Sequence, residues 1–378
     1  MRILHIINSF DLGGNERFLV YLLERLNPKE FKQEVCVPDR GKDRTLYLKD
    51  VCDKLGLPIY ILPTKGNFDR TLKGRLCELI GRDKYEIVHT HLLLSQYYGR
   101  RAAIKMGVRC IISSEQNTYE CKTHFPFSII ERKLAKKTTR IIACSESVKD
   151  HLIDKVGVPP NKIKLICNSV DTKLFKPVED RALVREQIRK KFHIKKESFL
   201  GGIIAHLSRQ KGHNLLLDAI PEVLKKVPNF HLLIVGGGAL HDSLVLQAEK
   251  LGIMDHVTFA GVQDDIVSIL NALDIFIMPS RWEGFGIAAI EAMACGIPVI
   301  VSYVGGLKEI VADRDNGLVI SYPNPETIAK AIVRLATDDE FRARLAARGL
   351  ETVREKFDVA DMVRKVEKLY LTYTKKAT

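Results

Sequence analysis

The 378-residue chain contains no apolar run approaching the roughly 18 residues that a membrane span requires. A membrane-embedded protein is therefore excluded, and a soluble one is expected. Met1 to Ile7 is apolar but far too short for a signal-peptide core, so export is not expected either. The eight cysteines (Cys36, Cys52, Cys77, Cys110, Cys121, Cys144, Cys167 and Cys295) form no C-x-x-C pair and lie mainly in apolar surroundings. They read as reduced thiols of a cytoplasmic protein, not as a disulfide framework or zinc site. No nucleic-acid module is recognisable, and the basic residues are dispersed rather than interleaved with aromatics. After Gly236-Gly237-Gly238 the dinucleotide fingerprint G-x-G-x-x-G would need a glycine where His241 stands, so that motif fails too.

Size and charge are the first positive signals. At about 150 residues per domain the length suggests two domains, and 46% hydrophobic residues suffice for two cores. Net charge is +13 but uneven: residues 1–200 hold 39 Lys+Arg against 24 Asp+Glu, the remainder 20 against 22. A basic first half favours an anionic membrane surface or a phosphate-bearing acceptor over nucleic acid.

The most informative stretch is Pro279 to Gly306, PSRWEGFGIAAIEAMACGIPVIVSYVGG. Ala288, Ala289, Ala292, Met293 and Ala294 are strong helix formers, and Gly296 suits the position just past a helix end, predicting a helix from Ile287 to about Cys295. Flanking runs at Ile275 to Met278 and Pro298 to Ser302 read as buried parallel strands. In such a unit ligands bind beyond the carboxyl ends of the strands, where the free N–H groups of Gly286, Ile287 and Ala288 suit phosphate. Glu291, one turn into the helix, then suits sugar hydroxyls, and Glu283 could do the same for a second sugar; either carboxylate alone could equally complement the helix dipole.

Glu283 and Glu291 stand in an E-x7-E frame, with Asp274 and Pro279-Ser280 before it and Gly296-x-Pro298, Gly305-Gly306-x-x-Glu309 and Asn316-Gly317 after it. This pattern closely resembles the retaining glycosyltransferases of family 4. The resemblance implies an α/β protein of GT-B fold, two Rossmann-like doubly wound domains facing across a cleft. A nucleotide-sugar donor would be held mostly by the second domain and the acceptor by the first. The expected bounds are 1–177, 178–358, and a helix over 359–378 returning to the first domain.

Other candidates follow in chain order. Gly13-Gly14 lies between the first strand and helix, a ligand loop in the family. His89-Thr90-His91 ends a strand; its two histidines could share a face and bind a metal, but no third ligand is evident in sequence, and the resemblance gives His91 a polar contact at the reacting centre. Ser113-Ser114-Glu115-Gln116-Asn117 has Gln116 where many members carry histidine; glutamine donates a hydrogen bond but does not titrate, leaving Glu115 and Gln116 as acceptor-side candidates. Between Tyr119 and Arg140, Phe125, Phe127, Ile129 and Ile130 precede Arg132, Lys133, Lys136, Lys137 and Arg140, a pattern suited to peripheral membrane contact or to a solvated helix. Asn168-Ser169-Val170-Asp171 has serine where the family often has glycine. The segment His206 to His213 offers Arg209 and Lys211 for a diphosphate, with His206 at the family's usual arginine position. Gly236 permits backbone approach to the nucleotide, and the resemblance puts the nucleobase by Val262; Gly284, Phe285 and Ile287 complete the donor loop. Asp313-Arg314-Asp315 imitates a metal-binding D-x-D but precedes Asn316-Gly317 in a turn and is read as structural.

The expected activity is retaining transfer of a hexose or N-acetylhexosamine from a nucleoside diphosphate sugar, UDP-linked before GDP-mannose. The acceptor would be a saccharide or lipid-linked saccharide in envelope polysaccharide or glycan synthesis. No cofactor and no metal are expected, and the enzyme would be cytoplasmic, peripheral on the inner membrane face. Glu283, Arg209, Lys211 and His91 would be catalytic. A nucleotide-sugar epimerase or hydrolase of the same fold is the alternative, as is a non-enzymatic anion-binding protein.

Overall fold

The computed structural model describes residues 1–8, 14–39, 41, 47–65, 69–321 and 323–375. They divide into two compact units, Met1–Asn168 with Val359–Thr378, and Ser169–Asp358. The division falls at Asn168, ahead of the expected 177: Val170 N donates to Phe357 O at 2.9 Å and Thr172 Oγ1 donates to Asp358, so the segment after Asn168 goes with the second unit.

The first unit runs β1 (Arg2–Ile7), α1 (Gly14–Arg25), β2 (Lys32–Asp39), α2 (Tyr47–Leu55), β3 (Ile59–Pro63), α3 (Leu72–Asp83), β4 (Ile87–His91), α4 (Leu93–Lys105), β5 (Cys110–Glu115), α5 (Phe127–Lys137), β6 (Arg140–Ala143), α6 (Glu146–Asp150) and β7 (Ile163–Leu165). Its parallel sheet has the order β3-β2-β1-β4-β5-β6-β7. The central strands β1, β4 and β5 are buried over nearly their whole length, polar residues included, as the middle strands of a parallel sheet are.

The second unit runs α7 (Arg181–Lys191), β8 (Phe199–Ile204), α8 (His213–Lys226), β9 (Phe230–Val235), α9 (His241–Lys250), β10 (Val257–Gly261), α10 (Ile266–Ala272), β11 (Ile275–Met278), α11 (Ile287–Ala294), β12 (Val299–Ser302), α12 (Leu307–Ile310), β13 (Leu318–Ile320), α13 (Pro325–Thr337) and α14 (Asp339–Lys356). Its sheet order, β10-β9-β8-β11-β12-β13, repeats the winding of the first. In both sheets the order reverses beside the first strand of the unit, between β1 and β4 and between β8 and β11, where doubly wound folds bind ligands.

A final helix, α15 (Val359–Lys375), belongs to the first unit. Val359, Met362, Val363, Val366 and Tyr370 recur at helical spacing and pack with Phe18, Tyr21, Leu22 and Phe31. No helix among the described residues is long and apolar enough to cross a membrane.

Candidate functional site

In the second unit two loops are stitched together at the strand ends. Arg209–Lys211 makes a single tight turn after β8. Gly212, at φ 71°, carries the chain into α8 so close to the neighbouring loop that a Cβ there would stand 2.1 Å from Pro279 O. Arg281 N donates to Gln210 O at 2.7 Å, and Gln210 Nε2 donates to Trp282 O at 3.0 Å. Lys211 Nζ donates to Glu283 Oε2 at 2.6 Å, and Ser280 Oγ donates to the same oxygen at 3.3 Å. From behind, Gly305 lies against Glu283: a Cβ on Gly305 would sit 1.7 Å from Glu283 O, which explains why a glycine stands here. Arg209 is exposed and has no partner among the described residues.

These contacts lead into α11. Gly286 precedes it at φ 112°, and Ala289 N already bonds Gly286 O at 3.0 Å, so the N–H groups before it are the helix's unsatisfied first turn. Gly284 lies in the turn before it. The Phe285 ring is turned away from the loop, 2% exposed and edge-on to Phe357 at 5.7 Å, so the expected donor contact at this position is left to its backbone. Ile287 opens the helix, and Glu291, 4% exposed, lies one turn further in. Gly236 follows β9 and donates to Gly261 O at 2.8 Å; Val262, beside it after β10, is 72% exposed. His206 is exposed, whereas His213 is 1% exposed with neither ring nitrogen partnered; burial, then Lys211 and His206, pushes its pKa down to about 4. In the sequence His213 stands only as the last residue of the basic segment.

In the first unit Gly13 lies outside the described residues, and Gly14 is the first residue of α1. The third imidazole missing from the sequence reading is His5. It pairs in register with His89 on the neighbouring strand, and His5, His89 and His91 place ring nitrogens within 4.8 Å of one another. Their hydrogen bonds fix one tautomer chain. Gln33 Nε2 donates to Leu23 O at 3.2 Å, so Gln33 Oε1 accepts from His5 Nε2–H at 3.2 Å. His5 Nδ1 is then an acceptor for His91 Nε2–H at 3.3 Å, leaving His91 Nδ1 with a free lone pair. His89 bridges Tyr370 OH at 2.6 Å and Ser114 Oγ at 2.7 Å. The rings thus have hydrogen-bond partners of their own, and burial keeps all three neutral, His5 down to about 4. His91 is 1% exposed, and the polar contact expected of it is made with His5.

Glu115 is fully buried and ion-paired to Lys122, whose Nζ also donates to Gln96 Oε1 at 2.8 Å. Beside them Arg100, 1% exposed, grips Glu131 with two bonds of 2.7 and 2.6 Å. Burial alone would push Glu131 up; Arg100 and Lys122 hold it below its usual range. The ion pair engages Oε1 of Glu115 and leaves its buried Oε2 without a partner among the described residues; next to it Gln116 Oε1 accepts from Asn168 Nδ2 at 2.6 Å while its buried Nε2 likewise has none. Arg100, Lys122 and Glu131 gave no signal in sequence because they meet only through α4, α5 and the loop before it.

Asp313 accepts from Val319 N at 2.8 Å and Asp315 faces Arg348 at 3.4 Å, so the D-x-D look-alike closes a turn.

Similarity to known proteins agrees with this architecture. The model for Glycosyltransferase Family 4 matches residues 12–174, and that for Glycosyl transferases group 1 matches residues 184–352. Over 379 aligned residues, covering 98% of this chain and 97% of the relative, the chain is 27% identical to the UDP-Gal:alpha-D-GlcNAc-diphosphoundecaprenol alpha-1,3-galactosyltransferase of Escherichia coli. Among solved structures, Anabaena HepE in complex with UDP-glucose superposes with a TM-score of 0.86 at 20% identity, covering 98% of this chain and all of that one. A glycosyltransferase from Rickettsia africae ESF-5 gives 0.84 at 20% identity, covering 100% of this chain and 99% of that one. None of these supports an epimerase or hydrolase. Two glycosyltransferase models in succession, on two parallel sheets wound alike, make this chain a glycosyltransferase of GT-B type.

Proposed function

We propose that the enzyme moves a hexose or N-acetylhexosamine from a UDP-sugar to a saccharide or lipid-linked saccharide, with retention of anomeric configuration and without a metal. GDP-mannose is the second donor to test. The observation that carries the reading is the 2.6 Å contact between Lys211 and Glu283 beside an exposed Arg209, unpaired among the described residues, and the open first turn of α11. A departing nucleoside diphosphate is an anion, and these groups supply fixed positive charge where that anion forms. Arg209 offers a planar fork, Lys211 a point charge and α11 its N–H dipoles. In this reading Glu283 accepts from donor-sugar hydroxyls, Glu291 from the ribose, and Val262 lies by the nucleobase, with Gly236 and Gly284 to Ile287 lining the donor by backbone. On the acceptor side Gln116 Nε2, without a partner among the described residues, offers a hydrogen bond, and Gly13 and Gly14 stay with the donor as the resemblance implies.

No titratable general base stands at the Gln116 position. The departing phosphate oxygen therefore takes the acceptor proton as the new glycosidic bond forms on the face the diphosphate leaves. The donor proposed here is consistent with the UDP-Gal in the Escherichia coli relative's name and the UDP-glucose bound to HepE. Envelope polysaccharide or glycan synthesis on the cytoplasmic face is the proposed setting, with an anionic membrane surface as a further partner.

The test is transfer from UDP-, GDP-, ADP- and TDP-sugars in EDTA to saccharide and polyprenyl-diphosphate-linked saccharide acceptors, with the product anomer read by NMR. Retained configuration from one donor class supports the reading. An inverted product, a strict requirement for metal, or donor hydrolysis with no acceptor product would each refute the corresponding part.

A further inference from the structure

The hydrogen-bonded chain through the histidines of the first unit has a direction. It starts at a backbone carbonyl, Leu23 O, which only accepts, and Gln33 Nε2 donates to it at 3.2 Å. Gln33 Oε1 then accepts from His5 Nε2–H at 3.2 Å, and His5 Nδ1 accepts from His91 Nε2–H at 3.3 Å. Each of these rings is kept neutral by burial and spends its one proton inward, so the chain ends at His91 Nδ1 as a lone pair. That atom is buried and has no partner among the described residues. His89, its ring centroid 4.1 Å from that of His91, does not supply one, because both His89 nitrogens are engaged by Tyr370 OH and Ser114 Oγ.

The lone pair lies where this kind of sheet takes a ligand. His91 ends β4 at the switch point beside β1, and α4 begins just beyond it. Leu92 makes the joint at φ 62°, a value usually left to glycine, and gives the helix no side-chain cap. Leu93 and Leu94 therefore open α4 with N–H groups that no carbonyl of the helix reaches, while Ser95 N donates to Asn8 Oδ1 at 3.2 Å. Ser95 Oγ, also buried, is a second polar atom without a partner among the described residues. N–H donors beside an acceptor-only nitrogen select the ligand. An ionised phosphate or carboxylate would suit the N–H groups but would turn an oxygen with no proton towards the imidazole lone pair. A sugar hydroxyl serves both, donating to Nδ1 and accepting from an N–H. We infer that Gln33 and His5 are positioning residues: they hold His91 in the tautomer whose Nδ1 accepts from a sugar hydroxyl seated at the first turn of α4. This hydroxyl keeps its proton and is a neighbour of the reacting one, so the relay reads the sugar and leaves the proton of the transfer to the departing phosphate. That the ligand is a sugar rests on the functional reading above. The donor sugar and the acceptor saccharide share the chemistry, and the test separates them.

Nitrogen-15 spectra of the histidine-labelled full-length protein report the tautomers, with His91→Phe to assign the His91 signals and Gln33→Leu to perturb them. His91 is expected to be protonated on Nε2 alone in the wild type and to become a mixture of both tautomers in Gln33→Leu. In the transfer assay described above, Gln33→Leu should raise KM about tenfold for one of the two sugars, with little change in kcat or in UDP affinity. His91→Asn, whose Oδ1 stands near the place of Nδ1, should recover most of what His91→Phe loses. Monodeoxy analogues of the donor sugar and of the acceptor saccharide are then tried in turn. The analogue lacking the seated hydroxyl should be about tenfold poorer with the wild type and no poorer with Gln33→Leu, which names both the hydroxyl and its molecule. His91 protonated on Nδ1, a tautomer unmoved by Gln33→Leu, a loss of stability with unchanged KM, or deoxy penalties undiminished in the variant would each overturn the inference. If Gln33→Leu does not fold, the wild-type spectra and the deoxy series on His91→Asn and His91→Phe decide the same question. When the wild type transfers sugar but these signatures fail, only this inference falls; no transfer from any nucleotide sugar refutes the functional reading, and the inference with it.

Discussion

The two units share a winding and place their charge in opposite ways. At the strand ends of the first, ionisable side chains are taken inside: His5, His89 and His91 form one buried network, Arg100, Lys122, Glu115 and Glu131 another. At the strand ends of the second, Arg209, Lys211 and Glu283 stay at the loops, part-exposed or held by a single ion pair. A buried charge must be matched where it sits, so the first arrangement fixes a shape; a loop cation can exchange its partner for a ligand. One winding therefore carries matched, buried charge in one copy and loop-borne charge in the other.

The comparison can be broken hardest in the first unit. Replacing Arg100 with leucine leaves Glu131 buried beside Glu115 with only Lys122 for both, and should cost about 3 to 5 kcal/mol. Hydrogen exchange should show that loss in residues of the first unit while the second keeps its protection; equal loss in both would mean that the units do not carry separate stabilities. In the second unit the large effect should be kinetic. Lys211→Ala and Glu283→Gln are expected to lower kcat about 100- to 1000-fold with little change in melting temperature, measured as product formed per enzyme.

A smaller and graded contrast comes from pH. The folded state holds His5 neutral down to about pH 4, whereas the unfolded chain takes up a proton near 6.5. The unfolded form thus binds more protons in between, so the contribution is fully present above about pH 7 and is lost as pH falls from 6.5 towards 4. For His5 alone the loss is about 2 kcal/mol at pH 5. His89 and His91 shift in the same direction, whereas in the second unit His213 and His231 are separate residues, each held down to about 4. Urea unfolding at pH 7 and pH 5, resolved by unit, should therefore show the steeper acid loss in the first. The smallest effect belongs to Asp313→Asn and Asp315→Asn, for which activity in EDTA should be unchanged and stability should shift by less than about 1 kcal/mol. A large loss of activity would turn this turn back into a candidate metal ligand pair.

What could be read from the sequence followed the same divide. The Glu283 to Gly306 segment was legible because its parts are local: two glutamates eight positions apart, a turn and a helix that must follow it. Gly305 could be noted, but its reason, the carbonyl of Glu283 pressed against it, is a contact between loops. The strand that His89-Thr90-His91 ends was legible as well, and it is β4. The buried networks were not legible. His5 meets His91 across 86 positions and His89 meets Tyr370 across 281, and no local periodicity records such pairs. Phe285 shows the same limit from the other side: sequence puts it inside the donor loop, while the packing of its ring on Phe357, at the end of α14, is a contact no local pattern records.

Tyr370 also sets an order of events. It belongs to a helix that follows the whole second unit in the chain, yet it closes the first unit by bonding His89 and covering Phe31. On a ribosome the first unit is the earlier to emerge and the later to be finished, because Val359 to Tyr370 must be made before Phe18, Tyr21 and Phe31 are covered. For that interval, while the second unit is still being made, the first lacks the cover that Phe18, Tyr21 and Phe31 receive from the final helix, and a nascent-chain chaperone would find its apolar face there.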